Sequence, residues 1–407
     1  MSSKIFGRIL LVAFQVESRS NGGLESATRI FEALAGHYDW TFVTTRETIF
    51  TARWRAGGAR VIVTPFEEGA ARTARAINYA RWGARILAAA VSTRADCIHA
   101  NDTRAYKAAS LPARLLQLPL LLTIRDTKTE NETYGRHWRE AARQCRRIVI
   151  LSDEMGRIIA EKTGASPTKL CTINSIVDLV RFAPPSPEER LNSRVALGIG
   201  PKEFAIGCIG AFRDKKNQLE LIEKTLPPLV AEIPVARLHL FGDFHPETDT
   251  YAARCVEAVQ RLGMQERVVF HGHIPEMAVR FKALDAIVIG ARNEGLARAM
   301  IEGMACGVPV VSFSVCSARE MLDDTAAGEV VLNGDHIALA EALIRLAADP
   351  KRGAEMGRCG RLVAEQKFET ERVRAGYLAL YNESFIHSNA AKASTLSDEG
   401  GKPKEHF

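Results

Sequence analysis

The sequence predicts an α/β protein made of two doubly wound domains in series, and three observations carry that prediction. Short apolar runs of strand length alternate with helical patterns of 10–25 residues, as parallel βαβ units require. The alternation stops at a proline-rich stretch after Phe182 and then starts again. A chain of 407 residues is also too long for one ordinary core and suits two or three domains of ~100–200 residues each.

The first strand is the apolar run 9–14, followed by a loop with Ser18, Ser20, Asn21, Gly22 and Gly23. A helix is expected over 24–34, where apolar residues recur near i, i+3 and i+7. Further strands are expected at 40–44, 61–63, 97–100, 120–124 and 148–151. Residues 183–200 open with Ala-Pro-Pro-Ser-Pro-Glu-Glu and read as an extended, proline-stiffened linker. Strands at 204–210, 237–241, 268–271, 286–289 and 308–312 then rebuild the same pattern. The predicted layout is a first domain over 1–182, a linker over 183–200 and a second domain over 201–385, with its last helices returning to the first domain. A small, polar tail over 386–407 is expected to be disordered.

Composition narrows the class. Apolar residues make up 46% and charged residues 25%, which is globular rather than disordered or fibrous. No run approaches the ~18 apolar residues of a membrane-spanning helix, and the N-terminus has no signal-peptide pattern. Eight scattered cysteines without Cys-x-x-Cys spacing read as reduced thiols of a cytoplasmic protein. Aromatic content of 7%, with no interleaved aromatic platform, argues against nucleic acid as a partner. Residues 1–180 carry 26 Lys and Arg against 17 Asp and Glu, whereas the remainder carries 28 against 31. The first domain is therefore the basic one, with Arg72, Arg75, Arg81 and Arg85 on one helical stretch. An anionic membrane surface or a solvated helix face both account for that stretch.

The most informative segment is 285–312, where a buried strand ends at Gly290 and a loop brings Glu294 and Gly295 to a helix expected to start near Leu296. The free amides of that first turn, at Leu296, Ala297 and Arg298, form an anion site suited to a pyrophosphate. Glu302 lies about six residues into that helix, roughly 9 Å along it. The two glutamates are thus spaced to reach hydroxyls at either end of a nucleotide sugar; taken alone, they also suit a helix dipole and a solvated face. Arg213 and Lys216 follow a strand end and can neutralise a diphosphate. Gly22 and Gly23 let backbone amides approach a ligand, or simply make a tight turn. No Asp-x-Asp occurs, so no metal or other cofactor is expected.

Glu294-Gly295, Glu302 with seven residues in all between the two glutamates, and then Met-Ala-Cys-Gly-Val-Pro-Val-Val resemble the donor-site signature of retaining glycosyltransferases of family 4, which have the GT-B fold. Ile209-Gly-Ala-Phe-Arg213-Asp-Lys-Lys216, the turn at Asn21-Gly22-Gly23, His99-Ala-Asn101-Asp102 and Ile124-Arg125-Asp126 are similar to further landmarks of that family. The resemblance implies two Rossmann-like domains facing a central cleft and transfer of a sugar from a nucleoside diphosphate to an acceptor hydroxyl. The donor side would comprise Arg213, Lys216, Glu294, Gly295, Leu296, Ala297, Arg298 and Glu302. The acceptor side would comprise Gly22, Gly23, Asn101 and Asp126, with Glu294, Arg125 and His99 as catalytic candidates. A strand-end histidine such as His99 is also commonly structural.

The resemblance further implies a sugar or lipid-linked acceptor in bacterial-type cell-surface polysaccharide, lipopolysaccharide or glycolipid synthesis. The excess arginine of the first half fits a peripheral place at the inner face of the plasma membrane. Four sites depart from the family pattern: Arg125 stands where a His is usual, Asn101 where the second His of a His-x-His motif is usual, Ala297 where a Gly is usual, and Cys316-Ser317 where Gly-Gly is usual. These departures keep open a catalytically weak scaffold of a polysaccharide-assembly complex. Another GT-B enzyme, such as a nucleotide-sugar epimerase or a phosphorylase, also remains open.

Overall fold

The computed structural model describes residues 6–15, 21–67, 72–128, 132–274 and 276–399, the side chains of Met277 and 387–399 excepted. Ser18 and Ser20 of the first loop, and the tail from residue 400, lie outside the described residues.

The first sheet contains β1 (Arg8–Ala13), β2 (Asp39–Thr44), β3 (Arg60–Val63), β4 (Cys97–Ala100), β5 (Leu120–Thr123), β6 (Arg147–Ile150) and β7 (Leu170–Thr172). They lie in the order β3-β2-β1-β4-β5-β6-β7, every neighbouring pair parallel. The second sheet contains β8 (Phe204–Ile209), β9 (Ala236–Phe241), β10 (Val268–Gly272), β11 (Ala286–Ile289), β12 (Val310–Phe313) and β13 (Gly328–Val331). Its order is β10-β9-β8-β11-β12-β13, again parallel throughout. Central strands such as β4, β5, β11 and β12 are buried along their whole length. Helices cover both faces, which is why these strands read as unbroken apolar runs rather than alternating ones. In each sheet the strand order reverses once, between β1 and β4 and between β8 and β11. A crevice opens beyond the carboxyl ends of the strands at such a reversal.

Three expectations need correction. Residues 183–200 are not an extended linker, because Pro187–Ala196 is a helix. Proline is compatible with the first helical turn, and Ser186 and Glu189 form a reciprocal capping box at 2.8 and 3.1 Å. Arg190 and Arg194 of this helix bind Asp285 at 2.6 and 3.0 Å, fastening it to the second domain. The tail is not irregular from residue 386, since the helix Thr370–Glu399 runs through that position. Strands β7 and β13 escaped the sequence reading because they are three and four residues long and only partly buried, so they have little pattern to show.

The helix Thr370–Glu399 returns to the first domain. Val373, Tyr377, Leu380, Tyr381 and Phe385 join Ile9, Leu11, Trp40, Cys97 and Leu121 in one buried cluster. Tyr38 donates to Asn382 at 3.1 Å, and Arg147 pairs with Glu383 at 2.6 Å. This return ties the two domains together at the side of the cleft.

Candidate functional site

The loops leaving the two strand-order reversals face one another. In the first domain, β1 leads to the helix Gly22–Ala33, whose cap is Asn21; its side chain accepts from the amides of Gly23 and Leu24, each at 3.1 Å. β4 ends next to Asn101, which donates to the Gly23 carbonyl at 3.4 Å. β5 leads to Arg125 and Asp126. Arg125 donates to Asn101 Oδ1 at 2.6 Å and to the Asn101 main-chain oxygen at 3.4 Å. Gly22, Gly23, Asn101 and Arg125 are therefore brought together at one wall of the cleft.

In the second domain, β8 leads through Gly210 to Arg213 and Lys216, and β11 leads to Glu294 and Gly295. Lys216 and Glu294 pair at 2.5 Å, with the carboxylate buried. Arg213 is exposed beside them. The helix that follows is Arg298–Ala305, so it starts two residues later than expected, and Ala297 at its cap has no side-chain bond to the first turn. Glu302 is the fifth residue of that helix, roughly 6 Å along it rather than 9 Å. It is buried and paired with Arg298 at 2.5 Å.

Side chains cap the helices at Gly22, Thr103 and Asp153, whereas the turn at Arg298 is left open. Open amides at a helix N-terminus, with a Lys–Glu pair before them and an Arg–Glu pair one turn on, suit a diphosphate flanked by hydroxyls.

The two walls touch. A Cβ on Gly295 would stand 1.9 Å from the Arg125 carbonyl oxygen, and one on Gly22 would stand 3.1 Å from Arg298 Cδ. Only glycine permits the first approach, because that oxygen belongs to the main chain. Asp126 was assigned to the acceptor side, but its carboxylate accepts from the Gly295 amide at 3.2 Å and from Lys215 at 3.0 Å, both in the second domain. Asn293 donates to the Thr127 carbonyl at 2.7 Å. Ser317, at φ 70°, donates its hydroxyl to the Gly295 carbonyl at 2.7 Å and lies 2.6 Å from the Ser152 hydroxyl, from which it can accept, and its amide donates to Glu154 at 3.0 Å.

Burial, with repulsion from Glu320 adding to it, holds the Glu154 carboxyl above its ordinary value, against the bond from Ser317. Burial works to lower the Lys215 ammonium, but Asp126 and Glu294 outweigh it and the net shift is upward. Arg298 also donates to Ser26 at 3.3 Å, and Glu320 accepts from the Glu154 amide at 2.9 Å. Sequence reasoning did not single out Ser26, Lys215, Ser152, Glu154, Ser317 or Glu320 as cleft residues. The signals available were the family-like segment Leu151-Ser152-Asp-Glu154-Met and Cys316-Ser317 in place of a glycine pair.

His99 is not a catalytic candidate in this structure. It is buried on β4, with Nδ1 2.7 Å from the Tyr381 hydroxyl and Nε2 2.8 Å from Thr123 Oγ1. Burial, reinforced by the charge of Arg125, pushes the imidazole down to about 3. Both nitrogens are occupied, and the ring supports the wall from behind. A cavity of about 760 Å³ lies away from the cleft, lined by Leu120, Arg146 and Arg147 at the amino ends of β5 and β6. That is the opposite end of the sheet from the crevice, so it is no part of this site. Among the described residues, no three His, Cys, Asp or Glu side chains gather as a metal site. No described helix is long and apolar enough to cross a membrane.

Two family models match the chain. Residues 21–174 match the glycosyl transferase 4-like domain, and residues 203–349 match glycosyl transferases group 1. Among curated relatives, the chain is 32% identical over 202 residues to a GDP-mannose-dependent monoacylated α-(1-6)-phosphatidylinositol monomannoside mannosyltransferase of Corynebacterium glutamicum. That match covers 48% of this chain and 51% of the relative, so the chain spans about half its length. It is 24% identical over 284 residues to the lipopolysaccharide core biosynthesis mannosyltransferase LpcC of Rhizobium leguminosarum, covering 70% of this chain and 77% of the relative. Among solved structures, Anabaena HepE in complex with UDP-glucose superimposes with a TM-score of 0.79 at 18% identity, over 93% of this chain and 100% of that one. Sucrose-phosphate synthase from Thermosynechococcus elongatus gives a TM-score of 0.77 at 19% identity, over 93% and 100%. The fold is the one these GT-B structures share.

Proposed function

Because the chain belongs to the glycosyl transferases group 1, we propose that it moves a sugar from a nucleoside-diphosphate sugar to an acceptor hydroxyl, with retention of anomeric configuration. The observation that carries this reading is the uncapped turn at Arg298, set between the Lys216–Glu294 and Arg298–Glu302 pairs and facing the glycine turn of the other domain. In this reading the amides of residues 296–298, with Arg213 and Lys216, hold the diphosphate. Glu294 takes hydroxyls of the sugar and Glu302 those of the ribose.

Positive charge fixed in place before the bond breaks stabilises the leaving diphosphate where its charge develops, without reorganisation at that moment. The reading assigns that task to side chains and amides rather than to a metal ion. No side chain in it acts as a covalent nucleophile, so the acceptor hydroxyl attacks from the face the diphosphate leaves. Contacts across the cleft from Gly295 to Asp126 and from Ser317 to Ser152 and Glu154 support a closed state that excludes competing water.

The relatives' names, a phosphatidylinositol monomannoside mannosyltransferase and a lipopolysaccharide core mannosyltransferase, support a glycolipid or cell-surface polysaccharide acceptor. The helix Arg72–Thr93 supports a cytoplasmic enzyme docked peripherally on an anionic membrane. Its Arg72, Arg75, Arg81 and Arg85 are all exposed, and Ile77 beside them is 58% exposed.

The test is a transfer assay with Glu294→Ala, which removes the sugar contact and leaves Lys216 unpaired. Its kcat/KM should fall by roughly 100-fold or more. Full activity in that variant would sink the assignment.

A further inference from the structure

Arg125 is a partly buried cation without an ion-pair partner among the described residues. Its contacts are with the neutral Asn101, through Nη2 and Nε. The carboxylates nearest to it in effect are already committed. Asp102 caps the helix Thr103–Leu115 through the amides of Arg104 and Ala105, each at 2.8 Å, and Asp126 binds Lys215 and the Gly295 amide. A second guanidinium, that of Arg298, faces it from the other domain, donating to Ser26 at 3.3 Å and standing against Gly22. Burial, with Arg298 adding repulsion, pulls the Arg125 guanidinium below its ordinary value. A partly buried charge beside a second cation is stabilised when a bound anion compensates it. The diphosphate has its own cations in Arg213 and Lys216, so Arg125 is left over.

We propose that Arg125 receives an oxyanion carried by a sugar substrate, either a uronate carboxylate or a sugar phosphate, and not the donor's diphosphate. This rests on the transferase reading above. Arg125 Nη1 has no hydrogen-bond partner among the described residues, and a planar guanidinium can offer such an edge to two oxygens at once. Two sources share this chemistry. The Arg125 carbonyl abuts Gly295, next to Glu294, which places the side chain near a transferred sugar. Gly23 and Asn101, also in contact with Arg125, lie on the wall assigned to the acceptor.

Calorimetric titration of the full chain separates these sources. The donor comparison is UDP-glucuronate against UDP-glucose, with UDP and GDP alone as references. The acceptor comparison, with UDP bound, is glucose 6-phosphate against glucose. The wild type should prefer the anionic partner by about tenfold or more in one comparison, the size of a charge-assisted contact. A preference in the first assigns the oxyanion to the donor sugar, and in the second to the acceptor. Arg125→Gln, which can still bond Asn101, should erase the preference and leave UDP affinity as it was. Arg125→Lys, which keeps the charge but loses the planar edge, should retain part of it.

A wild type that discriminates in neither comparison overturns the proposal, and needs no variant to do so. So does a preference that survives in Arg125→Gln, or a loss of affinity for UDP alone as large as that for any sugar. If neither UDP, GDP nor their sugars bind the wild type, the transferase reading falls and this inference falls with it. Equal binding of neutral and anionic sugars removes the inference alone.

Discussion

His99 shows how a residue's neighbours change the meaning of its type. Histidine at a strand end beside a cleft is a reasonable acid–base candidate on sequence grounds. With Tyr381 and Thr123 on its two nitrogens and no route to solvent, it is instead a buried neutral strut. Its pH behaviour follows from the depressed value. Above its ordinary value of about 6.5, folded and unfolded chains both hold the ring neutral. Between there and about 3, the unfolded chain takes up a proton that the folded chain refuses, so stability falls as pH falls. His271, pushed down to about 4 chiefly by burial, acts in the same direction. The melting temperature should therefore drop steadily from pH 7 to pH 4, each histidine contributing at most ~1.4 kcal/mol per pH unit. His99→Gln should flatten that slope while costing about 1–3 kcal/mol of stability at pH 7 through unsatisfied Tyr381 and Thr123. A slope unchanged in the variant would place the proton uptake elsewhere.

At the scale of elements, the loop from β11 to the helix Arg298–Ala305 carries both the proposed donor site and a contact between the two domains. Gly295 is the residue where these meet. Its main chain approaches the Arg125 carbonyl so closely that a methyl group cannot fit without moving a backbone, and the two backbones belong to different domains. Gly295→Ala should accordingly spare each domain's core and hold the domains apart. The expected signature is a fall in kcat of at least about tenfold, a radius of gyration larger than that of the wild type by scattering, and affinity for free UDP little changed. A variant with wild-type dimensions and turnover would show that this contact is not needed for closure.

Element boundaries were the least legible part of the chain. The start at Arg298 was placed two residues early because Leu296 and Ala297 fit a helical pattern equally well. The helix Pro187–Ala196 was mistaken for a linker because prolines outweighed the capping-box pair Ser186 and Glu189 that stood in plain view.

At the scale of the molecule, the charge division takes on a geometric sense. The basic half is the domain whose helix Arg72–Thr93 exposes Arg72, Arg75, Arg81 and Arg85, while the second half offsets its 28 Lys and Arg with 31 Asp and Glu. A peripheral enzyme acting on a lipid-linked acceptor would present the first domain to the bilayer. Flotation with vesicles containing phosphatidylserine or cardiolipin should capture the protein, and charge-reversing Arg72, Arg75, Arg81 and Arg85 together should release it. Added salt should weaken capture, because each basic residue near such a surface contributes about 1 kcal/mol that ions screen. Equal recovery with neutral phosphatidylcholine vesicles would reduce the helix to a solvated face.

The two parallel-sheet domains, most of their strands and the strand–loop–helix segment that carries Glu294 and Glu302 could be read from the sequence. They depend on local periodicity, on strand-length apolar runs and on a helix start, each encoded within a few tens of residues. The roles of His99, Arg125 and Asp126 could not. His99 owes its burial to Tyr381, 282 residues away, and Asp126 meets the Gly295 amide across 169 residues. Arg125 lacks an anion only because the carboxylates around it are used elsewhere. Charge compensation and desolvation depend on every group within a few ångströms, and in a two-domain molecule most of those groups come from distant sequence. The chain's local order determined which chemistry is present, and only the packing of one domain against the other decided which of those side chains face the cleft.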